Sequence, residues 1–202
     1  MIHSVLIFVI AAVIGFAAVF LFRKAQDRAQ TASGGWTMTH GFGKPDTALP
    51  AIPFVVDAAS EPHYVLLNTG PLTGKTAITL TGKVEGAAGM KALTDATAPT
   101  DMCLFFQRKG DDWSGLGAME FYRWWAGLVM MKPIADGEFT LTASLMGEWG
   151  SVLGHSSTAN AAAFADALNN AVSVGFVLGG GSGLGHGITG TGKITVTSFT
   201  LS

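Results

Sequence analysis

The chain has 202 residues, of which 49% are hydrophobic and 13% are charged, and its formal net charge is −2. This mildly acidic composition argues against nucleic-acid binding, because neutralising phosphates requires clustered Lys and Arg. Cys103 is the single cysteine, which excludes an intrachain disulfide and argues against a thiolate metal site.

Residues 5–22 form an apolar stretch without a charge or a proline. At about 1.5 Å per residue, a helix of this length spans a hydrocarbon core roughly 30 Å thick. The preceding Met1-Ile2-His3-Ser4 carries no Lys or Arg, and no convincing cleavage site follows, so a retained anchor is favoured over a signal peptide. We therefore predict a single-pass transmembrane anchor at residues 1–24, a linker at 25–35 and one domain at 36–202.

The charges that flank the anchor predict its orientation. Arg23, Lys24 and Arg28 all follow the apolar stretch, and no basic residue precedes it. The positive-inside rule then places the domain on the cytoplasmic side of the inner (cell) membrane. A periplasmic or otherwise extracytoplasmic domain on an uncleaved anchor is the alternative.

Short runs with period-two alternation or β-branched enrichment recur along the domain, separated by Gly, Pro, Asn and Asp. The candidate strands are residues 52–56, 64–67, 77–85, 103–108, 120–125, 128–131, 138–145, 172–178 and 193–201. This spacing is typical of an all-β sandwich or barrel. The run at 172–178 is almost continuously apolar, which predicts a strand covered on both faces.

One stretch of the domain, residues 157–170, has a helical pattern. Ser157 or Thr158 can cap its start, Phe164 and Leu168 are spaced for an i, i+4 contact, and two asparagines end it. A single short helix among strands predicts a lid across one edge or end of the sandwich.

The order of features from residue 139 onwards is a strand at 139–145, then Trp149, the helix with Phe164 and Leu168, the run at 174–176 and a last strand ending at Leu201. This order resembles the closing half of carbohydrate-binding-module-like (galactose-binding-like) jelly rolls. The resemblance covers the last third of the chain and rests on pattern. It implies a jelly-roll fold with one short helix, and ligand binding without catalysis.

Motifs with chemical potential have simpler interpretations. The glycine-containing runs at 74–76 and 187–193 precede strands, so they lack the helix N-terminus that a phosphate site needs. Asp111-Asp112 has the signature of a turn between strands. No nucleophile elbow or Ser/His/Asp arrangement is present, and the five histidines are widely spaced. We predict no enzymatic activity, no cofactor and no metal site.

Aromatic residues give the candidate binding sites. In the strand at 120–125, Arg123 and Trp125 share one face with Phe121, while Tyr122 and Trp124 share the other. Either the Tyr122 and Trp124 face packs under the helix at 157–170, or it forms a platform for a sugar ring, a lipid headgroup or a partner protein.

Three further residues extend this prediction. Trp113 and Trp149, at strand ends, could add to the Tyr122 and Trp124 surface. The loop at 179–192 is rich in glycine and has His186 at its centre, so it is either a broad hairpin connection or a contact surface with His186 as a polar tip.

Two functions follow from these features. The first is an accessory or structural subunit that joins a larger integral membrane protein complex through its transmembrane helix and its sandwich. Small residues around Gly15 would suit close packing against another helix. The alternative is a membrane-tethered carbohydrate-binding module that binds a glycan on its tryptophan surface.

Overall fold

The computed structural model describes residues 35–41, 43, 45–126, 131–181 and 183–202. The predicted anchor at 1–24, the predicted linker except Gly35, and residues 128–130 of one predicted strand lie outside the described residues. In the part of the chain that is described, no helix is long and apolar enough to cross a membrane.

The described residues form short and long strands that we number in chain order. They are β1 (Trp36–Thr39), β2 (Thr47–Ala48), β3 (Phe54–Asp57), β4 (Tyr64–Asn68), β5 (Ala77–Glu85), β6 (Met90–Ala92), β7 (Thr100–Arg108), β8 (Arg123–Trp125), β9 (Lys132–Pro133), β10 (Gly137–Ser144), β11 (Gly150–Ser151), β12 (Ala171–Gly180), β13 (Ile188–Gly190) and β14 (Lys193–Leu201). The α-helix α1 spans Ala161–Asn169, and short 3-10 helices span Ala58–Ser60, Ala87–Gly89 and Gly117–Phe121.

Two antiparallel sheets carry most of these strands. Within the described residues, sheet A has eight strands in the order β11-β8-β7-β12-β4-β1-β2, with β9 pairing to β7. Sheet B has four strands in the order β10-β5-β14-β3, and β6 and β13 form a separate ribbon. The prediction of a β-sandwich with one short helix is therefore confirmed.

The regular strands agree best with the predicted bounds, since β5 and β14 match them at both ends. The predicted strand at 120–125 is wrong in its first half, because a 3-10 helix ends at Phe121 and β8 begins only at Arg123. The short strand β1 was not predicted.

Helix α1 begins four residues later than predicted, and the predicted caps have other roles. The hydroxyl of Ser157 accepts a hydrogen bond from the backbone N–H of Trp149 at 2.8 Å, and that of Thr158 donates to Glu148. Both residues therefore tie the entry of the helix to the segment before β11. The helix turns Phe164 onto Phe106, Trp124 and Trp149, with ring centroids 5.7, 5.0 and 6.3 Å away.

Sheet A has two faces with different surroundings. The inner face is marked by Trp36, whose ring contacts Phe54 and Phe199 of sheet B. Cross-strand partners lie on the same face, so the register carries the inner face from Trp36 through Leu67, Val174 and Phe106 to Trp124. The outer face carries the alternate residues, and it positions the candidate site.

Candidate functional site

Strand β8 sends its two tryptophans to opposite faces of sheet A. Trp124 lies on the inner face and is 0% exposed. Its indole Nε1 donates to the carbonyl of Phe121 at 2.7 Å, and its ring packs edge-on against Phe164 of α1. The structure corrects the platform interpretation here: α1 covers Trp124, which is a core residue in the described structure.

Tyr122 does not form the predicted platform with Trp124 either. It follows the 3-10 helix directly and is partly buried. The guanidinium of Arg108 lies 4.3 Å from the centre of its ring, and Arg108 pairs with Asp166 of α1 at 2.7 Å. Tyr122 therefore supports the junction between β7 and the helix.

The outer face of sheet A borders a cavity of about 660 Å³. Three tryptophans and a tyrosine line this cavity, together with polar side chains and the backbone around β11. The lining includes Tyr64, Cys103, Trp113, Arg123, Trp125 and Trp149. Of the predicted binding residues, Trp113, Trp149 and His186 thus border one space, whereas Tyr122 and Trp124 do not.

Register explains why these residues meet. Tyr64 of β4 pairs with Val177 of β12, and Val177 pairs with Cys103 of β7, so the three side chains form one row on the outer face. In the next rows, Phe105 lies opposite Trp125 and Gln107 lies opposite Arg123. Tyr64, Arg123 and Trp125 were missed as site residues, although the sequence had already placed Arg123 and Trp125 on a shared face.

Trp113, in the cavity wall, has an unusual backbone conformation. Its φ angle is +69°, a region that bulky residues rarely adopt and that costs about 1–3 kcal/mol when occupied. Its ring packs edge-on against Tyr64, with centroids 5.2 Å apart, and lies 5.0 Å from the guanidinium carbon of Arg123. Such strained residues cluster at ligand clamps and active sites.

Trp125 and Trp149 differ in how their indole N–H groups are used. Nε1 of Trp149 donates to the carbonyl of Ser144 at 2.9 Å. Nε1 of Trp125 is buried and has no hydrogen-bond partner among the described residues. A buried donor without a partner costs about 1–3 kcal/mol, and an acceptor on a bound ligand is one group that could relieve this cost.

The glycine-rich loop after β12 closes over the outer face. Gly185 has a φ of +87°, and a Cβ there would lie 2.5 Å from the hydroxyl oxygen of Tyr64. Its carbonyl oxygen lies 3.2 Å from Nδ1 of His63. Glycine is therefore required for close packing of this loop on Tyr64, and the same loop brings His186 to the cavity. A binding role for His186 stays a prediction.

Two titratable groups of the cavity, Cys103 and Tyr64, favour their neutral forms. Burial raises the pKa of the Cys103 thiol to about 12 and also raises the pKa of the Tyr64 hydroxyl. Both groups therefore remain protonated near neutral pH. Among the described residues, no group of three or more His, Cys, Asp or Glu side chains could hold a metal ion.

No family model matches the chain, and no curated protein matches it. Among solved structures, the chain is similar to a xylan-binding module CBM15, with a TM-score of 0.49 and 17% identity over 84% of this chain and 91% of that chain. It is also similar to a mutant of Xylanase10C from Cellvibrio japonicus in complex with xylopentaose, with a TM-score of 0.46 and 17% identity over 85% of this chain and 27% of that chain. The first of these structures is a module of the kind that the sequence pattern resembles, and at TM-scores below 0.5 neither likeness carries an argument about this chain.

Proposed function

We propose that the sandwich is a non-catalytic binding domain whose cavity on the outer face of sheet A takes an oligosaccharide. The observation that carries this proposal is the convergence of Trp113, Trp125 and Tyr64 on one cavity. Indole and phenol rings offer flat apolar surfaces with a polar group at one end. The C–H faces of a sugar ring can stack on such surfaces while its hydroxyls meet the polar groups.

Size and lining support a small flexible ligand. The volume of about 660 Å³ lies within the range of roughly 300–1,000 Å³ that is usual for ligand pockets. Besides the rings, the lining has polar side chains that can exchange hydrogen bonds with hydroxyls, among them Ser114, Glu148 and Ser156. These residues favour a ligand with both apolar faces and hydroxyl groups.

Binding without turnover is also part of the proposal. The thiol of Cys103 has a pKa of about 12, so the nucleophilic thiolate is scarce near neutral pH. The phenol of Tyr64 is held in its protonated form as well. These properties suit a binding site better than a nucleophilic one.

Attachment to a membrane rests on residues 1–24, which lie outside the described residues. The accessory-subunit function, its integral membrane partner, and the cytoplasmic or extracytoplasmic side of the domain therefore stay predictions. The cavity proposal does not depend on them.

Calorimetric titration of the full-length protein with oligosaccharides tests the proposal. The panel contains xylopentaose, cellopentaose and chitopentaose, with free xylose as the small-ligand control. We expect at least one pentasaccharide to bind and xylose to bind far more weakly, because one ring contacts only part of the wall. No heat of binding and no shift in melting temperature with any pentasaccharide would refute the proposal.

A matched pair of variants assigns the binding to the cavity. Trp125→Ala removes a ring from the lining, and Tyr122→Ala removes a ring that lies outside it. We expect Trp125→Ala to weaken binding by about 2 kcal/mol or more, as for a central aromatic contact, and Tyr122→Ala to leave it unchanged. The reverse pattern would move the site to the surface predicted from the sequence.

A further inference from the structure

The carboxylate of Asp111 is buried and forms a junction between several polar groups next to the cavity wall. Its side chain is 1% exposed, and Nε of Arg123, itself in a side chain 2% exposed, lies 2.6 Å from Oδ2. The same Oδ2 accepts a hydrogen bond from Nε2 of Gln107 at 2.9 Å. The hydroxyl of Ser173 donates to Oε1 of Gln107 at 2.9 Å, so the junction is anchored to both β7 and β12.

Both backbone groups of Trp113 are held by this buried pair. The N–H of Trp113 donates to Oδ1 of Asp111 at 2.9 Å. The carbonyl of Trp113 accepts from Nη2 of Arg123, also at 2.9 Å. The guanidinium carbon of Arg123 lies 5.0 Å from the centre of the Trp113 ring. One residue with an unfavourable φ is thus fixed at its N–H, its carbonyl and its ring.

We infer that Asp111 and Arg123 are positioning residues that hold Trp113 in place as a preformed wall of the ligand cavity. The inference rests on the proposed oligosaccharide site, since it assigns these residues a part in that binding. A residue that needs support to keep a strained conformation relaxes when the support is removed. A wall that is preformed spares the ligand the cost of ordering it.

The affinity for a ligand depends on the fraction of molecules in which Trp113 occupies its position in the wall. If Trp113 occupies its wall position only about a tenth of the time, the apparent Kd rises about 10-fold, because only that fraction can bind. Asp111→Asn is the sharpest variant. It keeps the size of the side chain, but an amide replaces one of the carboxylate oxygens that face Trp113 N–H, Gln107 and Arg123.

Fluorine NMR of the full-length protein labelled with 5-fluorotryptophan observes the wall without any ligand. The chain has five tryptophans, and Trp113→Phe assigns the Trp113 resonance. We expect Asp111→Asn to shift or split the Trp113 resonance while Trp36, which packs against sheet B, keeps its position. Asp112→Asn is the matched control, because Asp112 is exposed and bonds the N–H of Ser114. It should change neither resonance.

A second variant covers the case in which Asp111→Asn disturbs the whole fold. Asp111→Asn/Arg123→Met removes both charges, so no unpaired charge stays buried, and the fold should recover. The Trp36 resonance should then return to its wild-type position while the Trp113 resonance stays displaced. An unshifted Trp113 resonance in either variant, with Trp36 also unshifted, would overturn the inference.

Titration with xylopentaose, or with the pentasaccharide of the panel that binds most tightly, separates the two proposals. If the wild type binds none of them, the proposed function fails, while the fluorine spectra still decide whether the pair positions Trp113. If the wild type binds, Asp111→Asn should weaken binding about 10-fold in the parent but not in the Trp113→Phe background. An equal loss in both backgrounds would contradict positioning through Trp113.

Discussion

The two faces of sheet A are built from the same strands but have different surroundings. On the inner face, Trp124 and Phe106 pack against Phe164 of α1, and the indole N–H of Trp124 has a partner. On the outer face, Arg123 and Trp125 border a cavity, and the indole N–H of Trp125 has no partner among the described residues. Adjacent residues of β8 therefore have opposite roles.

This difference separates a packed face from a face that borders a cavity within one strand. A close-packed face gains free energy from complete burial and satisfied polar groups. The outer face instead keeps a space and a strained tryptophan at its border, features that packing alone does not explain. Matched substitutions on the inner and the outer face test this comparison.

The largest expected effect is on stability. Trp124→Ala removes a fully buried indole and should lower the free energy of unfolding by about 3–5 kcal/mol. Trp125→Ala should cost about 1 kcal/mol, because the ring is only partly buried and borders an open space. Urea unfolding of both variants measures the difference, and equal losses would contradict the division into a packed face and a binding face.

The sequence defined the alternation of this strand but not the role of each face. Period-two alternation placed Arg123 with Trp125 and Tyr122 with Trp124, yet it is symmetric and does not indicate which side the helix will cover. The long alternating strands β5 and β14 were predicted well, because each has one buried face that local pattern reveals. β1, with only four residues, gave too little pattern.

The rest of the site depends on contacts between distant parts of the chain. The sequence predicts that Asp111 lies in a solvated turn, whereas in the structure Arg123 covers its carboxylate. Tyr64 becomes part of the cavity lining only when register brings it beside Val177 and the loop at Gly185 closes over it. The local sequence identified Trp113, Trp149 and His186 as candidate binding residues, but only the fold brings them to one cavity.

The loop that closes the outer face gives the second-largest expected effect. Gly185→Ala places a Cβ at positive φ and against the Tyr64 hydroxyl, so it should destabilise the protein by about 2–3 kcal/mol. Gly74→Ala has a similar φ of +78° but meets nothing within 4 Å, so about 1 kcal/mol is expected from the backbone alone. Thermal melts compare the two, and a cost at Gly185 no larger than at Gly74 would show that the loop does not press on Tyr64.

A smaller difference in the free energy of unfolding is expected when only the indole N–H groups of Trp124 and Trp125 are compared. Trp124→Phe and Trp125→Phe remove the same atoms, but only Trp124→Phe leaves an acceptor, the carbonyl of Phe121, without its partner. Trp124→Phe should therefore cost about 1 kcal/mol more in the free energy of unfolding. If Trp125→Phe costs as much, its N–H must have a partner that the described residues do not include.

The smallest expected effect is a pH dependence located at the outer face. Burial lowers the pKa of His63 below its ordinary value of 6.5, against a backbone hydrogen bond to Gly185 that raises it. The unfolded chain therefore takes up a proton at His63 before the folded chain does, and stability is lost as pH falls below about 6.5. Melting temperatures between pH 8 and 5 should fall less steeply in His63→Gln than in the wild type. His63 contacts the carbonyl of Gly185 in the loop over Tyr64. Acid should therefore shift the fluorine resonances of Trp113 and Trp125 before that of Trp124, and the opposite order would place the pH-sensitive contacts on the packed face.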